Sequence, residues 1–119
     1  SGPVVAENLY GITYGDNKFI AVGLNGKIIQ SDNGTSWSSV DNTTNTRTLN
    51  SIAYGNNKYV AVGSRTIISS SDNGSSFGVT STTLSFNDIS YGNGLFVAVG
   101  NNEIIYTSTD GDTWTKVHP

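Results

Sequence analysis

Three short segments rich in aspartate, serine and glycine are the clearest candidates for chemistry in this 119-residue chain. They occupy positions 30–37, 70–77 and 107–114, and each ends on an aromatic residue. The pattern Asp-x-Gly is found in calcium loops, but such a loop also needs a closing glutamate and several carboxylates, which these segments lack. The same residues suit a tight turn, in which a carboxylate accepts backbone N–H bonds and a glycine takes a positive φ. We therefore predict three structural turns and no bound metal ion.

Other reactive side chains are sparse. His118 is the single histidine and is followed only by the last residue, where a frayed end cannot orient a general base. The chain has no cysteine, which excludes a disulfide scaffold and a thiolate metal site. It also has no glycine-rich phosphate loop and no nucleophile elbow. The sequence predicts a protein that is not an enzyme and needs no cofactor.

The charge and hydropathy patterns narrow the range of partners. Six lysines and arginines stand against nine acidic residues, for a net charge of −3. Such a chain cannot present a basic stripe to a phosphate backbone, so we expect no nucleic-acid partner. The longest apolar runs are four or five residues, as at 19–22 and 95–99. A membrane helix needs about 20 apolar residues, so we expect no membrane partner either.

The elements that must position the three turns form a repeat. The segment 14–23, which reads YGDNKFIAVG, recurs with few changes at 54–63 and 91–100. From its tyrosine to the aromatic that ends the turn, the spacing is 23 residues in every copy, whereas the connectors between copies are 17 and 14 residues long. A constant body with variable joints is typical of stacked structural units, because packing constrains the body and solvent tolerates the joints.

Each copy predicts four β-strands separated by turns of glycine, asparagine and aspartate, and none has sustained helical periodicity. The first strand, as at 9–14, places isoleucine and tyrosine on one face and small residues on the other. The second strand, as at 19–22, is apolar on both faces and should lie between two layers. The third strand carries Ile28, Ile68 or Ile105, and the fourth begins at the aromatic residue.

Repeated groups of four antiparallel strands, each about 40 residues long, predict an all-β propeller. We expect one propeller segment over 1–119, with blades at 9–48, 49–85 and 86–119. The alternative is a β-sandwich, which gives no reason for the same 23-residue body three times. Three blades are too few to close a ring, so we expect either two chains in a six-bladed ring or a longer propeller, with self-association through the open apolar faces. Val4 and Val5 are candidates to pair with a partner's outer strand.

The three turns resemble the Asp-box, also called the bacterial neuraminidase repeat, whose pattern is Ser-x-Asp-x-Gly-x-Thr-Trp. The residues that carry the resemblance are Asp32, Gly34, Trp37, Asp72, Gly74, Phe77, Asp110, Gly111 and Trp114. In the third copy the aspartate stands one place closer to the glycine, so we expect that loop to be built differently. The resemblance implies a sialidase-like propeller of the kind found in bacterial surface proteins and phage tail proteins, and hence an extracellular or virion-associated location.

Binding is the better functional hypothesis. Sialidase activity would require a cluster of arginines, an acid and a nucleophile, and the chain has only Arg47 and Arg65 with no glutamate beside a tyrosine. Because strands alternate in direction, the loops between second and third strands should share one side with the blade connectors, opposite the Asp-boxes. The polar residues predicted on that side are Asn25, Asn42, Asn45, Arg47, Arg65, Asn102 and Glu103. We predict a non-catalytic structural or protein-interaction module; a glycan-binding, lectin-like propeller is the alternative.

Overall fold

The protein, in a computed structural model that describes residues 6–40 and 45–119, consists of three four-stranded antiparallel sheets. The first sheet contains β1 (Leu9–Gly15), β2 (Lys18–Gly23), β3 (Ile28–Ser31) and β4 (Ser38–Ser39). The second contains β5 (Leu49–Gly55), β6 (Lys58–Gly63), β7 (Thr66–Ser70) and β8 (Gly78–Ser81). The third contains β9 (Phe86–Gly92), β10 (Leu95–Gly100), β11 (Ile105–Ser108) and β12 (Thr115–His118). Strands follow chain order within each sheet, which confirms the all-β prediction of three blades.

Two predictions fall on residues that the structure does not describe. The pairing proposed for Val4 and Val5 and the placement of Asn42 lie outside the described residues. In the described part of the chain, the helical segments are single 3-10 turns, Leu24–Gly26 and Asn101–Glu103, and no helix is long and apolar enough to span a membrane.

The first two strands of every blade are joined by a two-residue turn in which both residues have positive φ. The residues concerned are Asp16, Asn17, Asn56, Asn57, Asn93 and Gly94. This backbone shape matches the right-handed twist of the flanking strands, and asparagine, aspartate and glycine tolerate it better than other residues. The turn chemistry read from the sequence therefore sets the register of the inner hairpins.

The hairpin between the second and third strands differs in the middle blade. In blades 1 and 3 a 3-10 turn connects the strands, whereas in blade 2 only Ser64 and Arg65 lie between the paired residues Gly63 and Thr66. Val22 pairs with Ile28 and Val99 with Ile105, but Val62 pairs with Ile67. The third-strand alignment that placed Ile68 beside Ile28 and Ile105 was therefore wrong by one residue.

The core lies between the blades. We call the blade face that carries Tyr14, Tyr54 or Tyr91 the tyrosine face, and the opposite one, which carries Val22, Val62 or Val99, the valine face. At the first junction the valine face of blade 1, with Ile20 and Val22, packs on the tyrosine face of blade 2. At the second junction the valine face of blade 2 packs in the same way on blade 3.

Each junction also contains polar contacts between blades. The Lys18 ammonium donates to the carbonyl oxygen of Asn73 at 2.8 Å, and the Lys58 ammonium donates to that of Asp110 at 2.6 Å. The buried Tyr59 hydroxyl donates to the carbonyl oxygen of Gly15. Burial, with a smaller effect from nearby Asp16, raises the pKa of Tyr59 to about 12, so this donor stays protonated well beyond neutral pH.

Two blade faces lack a facing blade among the described residues. On the tyrosine face of blade 1, Ile12 is 60% exposed, whereas its counterparts Ile52 and Ile89 are 5% and 6% exposed. On the valine face of blade 3, Val99 is 38% exposed, whereas Val22 and Val62 are fully buried. Ile12 and Val99 are therefore exposed to solvent, although the equivalent residues of the other blades form the core of the internal junctions.

Candidate functional site

The three Asp-box turns are built around a buried serine. In each turn the backbone amide of the glycine donates to the serine oxygen at 2.7 to 2.9 Å, and the pairs are Gly34–Ser31, Gly74–Ser70 and Gly111–Ser108. In the first and third turns the indole N–H of the tryptophan also donates to the glycine carbonyl, at 3.1 and 3.2 Å. The turns satisfy their own backbone groups, as expected for structural loops.

The side chain that closes the first turn differs from the predicted one. Asn33 Oδ1 accepts the amides of Thr35 and Ser36 at 2.9 and 3.0 Å. The structure thus gives Asn33 the role assigned to Asp32, which is exposed. An amide oxygen accepts the same N–H bonds as a carboxylate, so an aspartate is not required at this position.

The third turn is the twin of the first. Asp110 Oδ1 accepts the amides of Asp112 and Thr113, both at 2.9 Å, in the same positions relative to the glycine. The second turn has one extra residue between its serine and glycine, and Asp72 accepts the Ser76 amide at 3.0 Å and the Ser70 hydroxyl at 2.7 Å. The expectation that the third loop is the unusual one is corrected: the second differs, and its extra residue offsets the shorter hairpin before it.

Both closing carboxylates are held in the ionised form. Hydrogen bonds from the hydroxyls of Ser76 and Ser70 lower the pKa of Asp72 to about 2. Bonds from the amides of Thr113 and Asp112, and then from the Ser108 hydroxyl, lower the pKa of Asp110 to about 2. These groups stabilise the fold when charged, because the native state favours the ionised form.

Replacement of Asp110 by asparagine is expected to keep the fold at neutral pH but to reduce its sensitivity to acid. The pKa of Asp110 is depressed from 3.8 to about 2, so its stabilising contribution is complete above about pH 4 and is lost as the pH falls towards 2. An asparagine does not titrate, and Asn33 shows that it can accept the same amides. Urea unfolding at several pH values between 2 and 7 measures the effect.

The matched control for this prediction is Asp32→Asn, because that exposed carboxylate takes no part in its turn. We expect its stability curve against pH to follow that of the unmodified protein. A steep loss of stability in acid that is identical in Asp110→Asn and the unmodified protein would contradict the assigned role of Asp110.

The predicted polar side contains one cluster. Arg47 and Arg65 line a single surface depression together with Ser81, Thr82 and Thr83. Both arginines are exposed, and neither forms an ion pair with another described residue. Two guanidinium groups beside three hydroxyls can bind an anionic or polyhydroxyl ligand through charge-assisted hydrogen bonds.

The remaining predicted residues are dispersed or buried. Asn45 is 9% exposed and holds the connector, because its amide donates to the Arg47 carbonyl at 2.9 Å and accepts the Thr66 hydroxyl at 3.0 Å. Asn25 bonds Glu7 at 2.9 Å in blade 1. Asn102 and Glu103 lie in the 3-10 turn of blade 3, where Glu103 contacts His118 at 3.3 Å. In the described ranges, no group of three or more histidine, aspartate or glutamate side chains is placed to hold a metal ion.

Comparison with known proteins identifies the architecture. No protein-family model and no curated protein matches the chain. Among solved structures, YCF48 bound to D1 peptide matches with a TM-score of 0.76 and 21% identity over 92% of this chain and 40% of that one. The nidogen/laminin complex matches at 0.74 and 17% identity, over 95% and 49%. The WD40 β-propeller domain of Doa1 matches at 0.71 and 14% identity, over 94% and 42%.

The chain has the β-propeller fold. It spans less than half of each of these propeller-containing chains. As in a propeller, the first strands β1, β5 and β9 pack side by side. The hairpin loops between second and third strands bond to the connectors, as predicted from strand direction: the amide of Ser64 donates to the Thr48 carbonyl at 2.9 Å.

Sequence reasoning did not identify the glycine after each tyrosine as a site of contact between neighbouring blades. The ring of Tyr54 covers Gly15, and the ring of Tyr91 covers Gly55, so closely that neither glycine has room for a methyl group. Neither glycine has a positive φ, so the requirement comes from packing alone. The signal was present in the sequence, because the Tyr-Gly pair recurs at 14–15, 54–55 and 91–92.

Proposed function

We propose that this propeller segment is a non-catalytic, structural and protein-interaction module of the Asp-box type, which self-associates through its two open faces. The observation that carries the proposal is the contrast in exposure between equivalent residues, since Ile12 is 60% exposed and Ile52 only 5%. Apolar faces of the kind buried at the internal junctions gain free energy when a partner covers them, and a second copy of the chain can supply that cover.

The absence of catalysis is part of the proposal. The carboxylates of Asp72 and Asp110 are used by their own turns and have pKa values of about 2, which suits an acceptor of hydrogen bonds and not a general acid near neutral pH. His118, at the end of β12, faces Glu103 on the surface.

The structural neighbours support a protein-binding role. One of them was solved with a bound peptide, and another in a complex between two proteins. We place the protein outside the cell or on a virion, on the strength of the Asp-box resemblance to bacterial surface and phage tail proteins.

Size-exclusion chromatography with light scattering tests the proposal. We expect a mass that is a multiple of the chain's 12.6 kDa and that falls on dilution. A well-folded particle of 12.6 kDa at micromolar concentration would contradict self-association.

Glycan binding is the second candidate, and the depression between Arg47 and Arg65 favours it. We expect a glycan array to show preference for acidic sugars, and we expect the double variant Arg47→Ala/Arg65→Ala to lose that signal. Lys116→Ala, which removes an exposed cation from β12 in blade 3, is the control and should bind as the unmodified protein does. If the double arginine variant bound glycans as well as the unmodified protein does, these two residues would not belong to a glycan-binding site.

A further inference from the structure

The two internal junctions of the propeller segment use the same pair of contacts. At each, a tyrosine ring lies over the glycine that ends the first strand of the preceding blade: Tyr54 on Gly15, and Tyr91 on Gly55. The Asp-box glycine of the following blade also packs on the second strand of the preceding one. A methyl group added at Gly74 would lie 2.8 Å from Ile20 Cδ1, and one added at Gly111 would lie 2.7 Å from Val60 Cγ2.

The two ends of the chain carry the separate halves of these contacts. A methyl group added at Gly92 would meet no atom within 4 Å, and Tyr14 is 55% exposed. Gly34 has only the ring of Phe19, from its own blade, nearby. Val97, the counterpart of Ile20 and Val60 in blade 3, is half-buried. The tyrosine, the two glycines and the second-strand residue that make contacts across the internal junctions thus have equivalents at the ends of the chain that make no such contact.

We infer that the partner is a second copy of this chain, with Tyr14 of one copy seated on Gly92 of the other and Gly34 packed against Val97. This inference rests on the proposed self-association and adds its register and its number of copies. A contact between unlike ends of identical chains either closes into a ring or grows into a filament. Identical three-bladed chains can make only rings with a multiple of three blades, and within the range of four to eight blades only six remain. Two copies therefore close the ring.

The open ends fit a second copy better than an unrelated protein because the chain already contains their complement. The tyrosine face of blade 1 presents the residue types by which blades 2 and 3 bind their predecessors, as the exposed Ile12 and Tyr14 match the packed Ile52 and Tyr54. One difference is that Leu95 stands where Lys18 and Lys58 donate across the internal junctions. The junction between copies lacks that hydrogen bond, so we expect it to separate more readily than the internal ones.

The experiment compares Gly92→Ala with Gly78→Ala by light scattering and analytical ultracentrifugation. Both methyl groups enter open space within the chain, so both variants should fold, which circular dichroism verifies. Gly92→Ala places its methyl group where the aromatic ring of Tyr14 must lie at both junctions between the copies. We therefore expect the dissociation constant of the dimer to rise at least about 100-fold. Gly78 begins the outer strand β8, and Gly78→Ala should dimerise normally.

A second variant, Tyr14→Ala, tests the other half of the contact and should weaken the dimer as well. A mixture of Gly92→Ala and Tyr14→Ala can form one unaltered junction, between Tyr14 of the first and Gly92 of the second. We expect the mixture to dimerise more tightly than either variant alone, which no interface elsewhere on the chain would produce.

The possible failures are distinguishable. If the unmodified chain is monomeric, both the proposed function and this inference fall. If it is dimeric and neither Gly92→Ala nor Tyr14→Ala weakens the dimer, self-association stands and the register is overturned. If it forms trimers or open filaments, the two-copy ring is overturned.

Discussion

Replacement of Gly55 by alanine is expected to lower the free energy of unfolding by about 1–3 kcal/mol. The added methyl group would overlap the ring of Tyr91 at Cγ, the ring carbon bonded to Cβ. That ring cannot swing aside freely, because it packs on Phe96 with ring centroids 4.7 Å apart. Blades 2 and 3 must therefore separate to admit the methyl group, and the second junction weakens as a whole. Urea unfolding followed by circular dichroism measures the change.

Gly78→Ala is the matched control for this prediction. The same methyl group is added there, also to a glycine without positive φ, and it meets no atom within 4 Å. We expect a change within about 0.5 kcal/mol of zero, as for most surface substitutions. Equal stabilities for the Gly55 and Gly78 variants would show that the Tyr91 ring does not occupy the space above Gly55.

Replacement of Phe96 by alanine is expected to cost about 3–5 kcal/mol, the largest effect of any substitution considered. Phe96 is fully buried in the second junction and packs beside Tyr91. Its removal takes an aromatic ring out of a closely packed interface and leaves a cavity that the paired strands cannot collapse to fill. Because domains of this size are stable by only about 5–15 kcal/mol, the variant should be close to unfolding at 37 °C.

The control for Phe96→Ala is Val117→Ala, which truncates a strand residue of the same blade that is 56% exposed. We expect its cost to stay below about 0.5 kcal/mol. Phe96→Leu refills part of the cavity and should recover most of the stability, whereas a small loss in Phe96→Ala would mean that the second junction is loosely packed.

The blades were predictable because local chemistry and repetition agree. The Asp16-Asn17 turn and its equivalents have the residues that a two-residue hairpin needs, and they set the strand pairing that the structure shows. The alternation in the first strand placed Ile52 and Tyr54 on one face and Ala53 on the other, and these residues pack at different junctions. Self-association and ligand binding remain predictions.

The register of blade 2 was not predictable from spacing. A hairpin shorter by one residue at Ser64-Arg65 is followed by an Asp-box longer by one residue, so the overall length of 23 residues is unchanged. The strand pairing shows the offset, because Ser70 pairs with Tyr59 as Ser31 pairs with Phe19. Aligning the serines in place of the glycines would have revealed it.

The candidate binding side was only partly predictable. Strand direction placed the hairpin loops beside the connectors, and two arginines were found together. Whether a polar side chain faces solvent or its own backbone depends on the path of the connector, which sequence does not specify. Asn45 has a polar side chain of the kind that binds ligands, yet it is buried and its amide donates to the backbone of the connector.

Because Asn33 closes the first turn and Asp110 closes the third, the tryptophans of these two turns can report separately on their response to acid. Trp37 and Trp114, the only tryptophans, each donate to the glycine carbonyl of their own turn, one closed by a neutral amide and the other by a carboxylate. On acidification towards pH 2 the surroundings of Trp114 should change before those of Trp37. Fluorescence of variants that retain a single indole would then report which end of the chain loosens first.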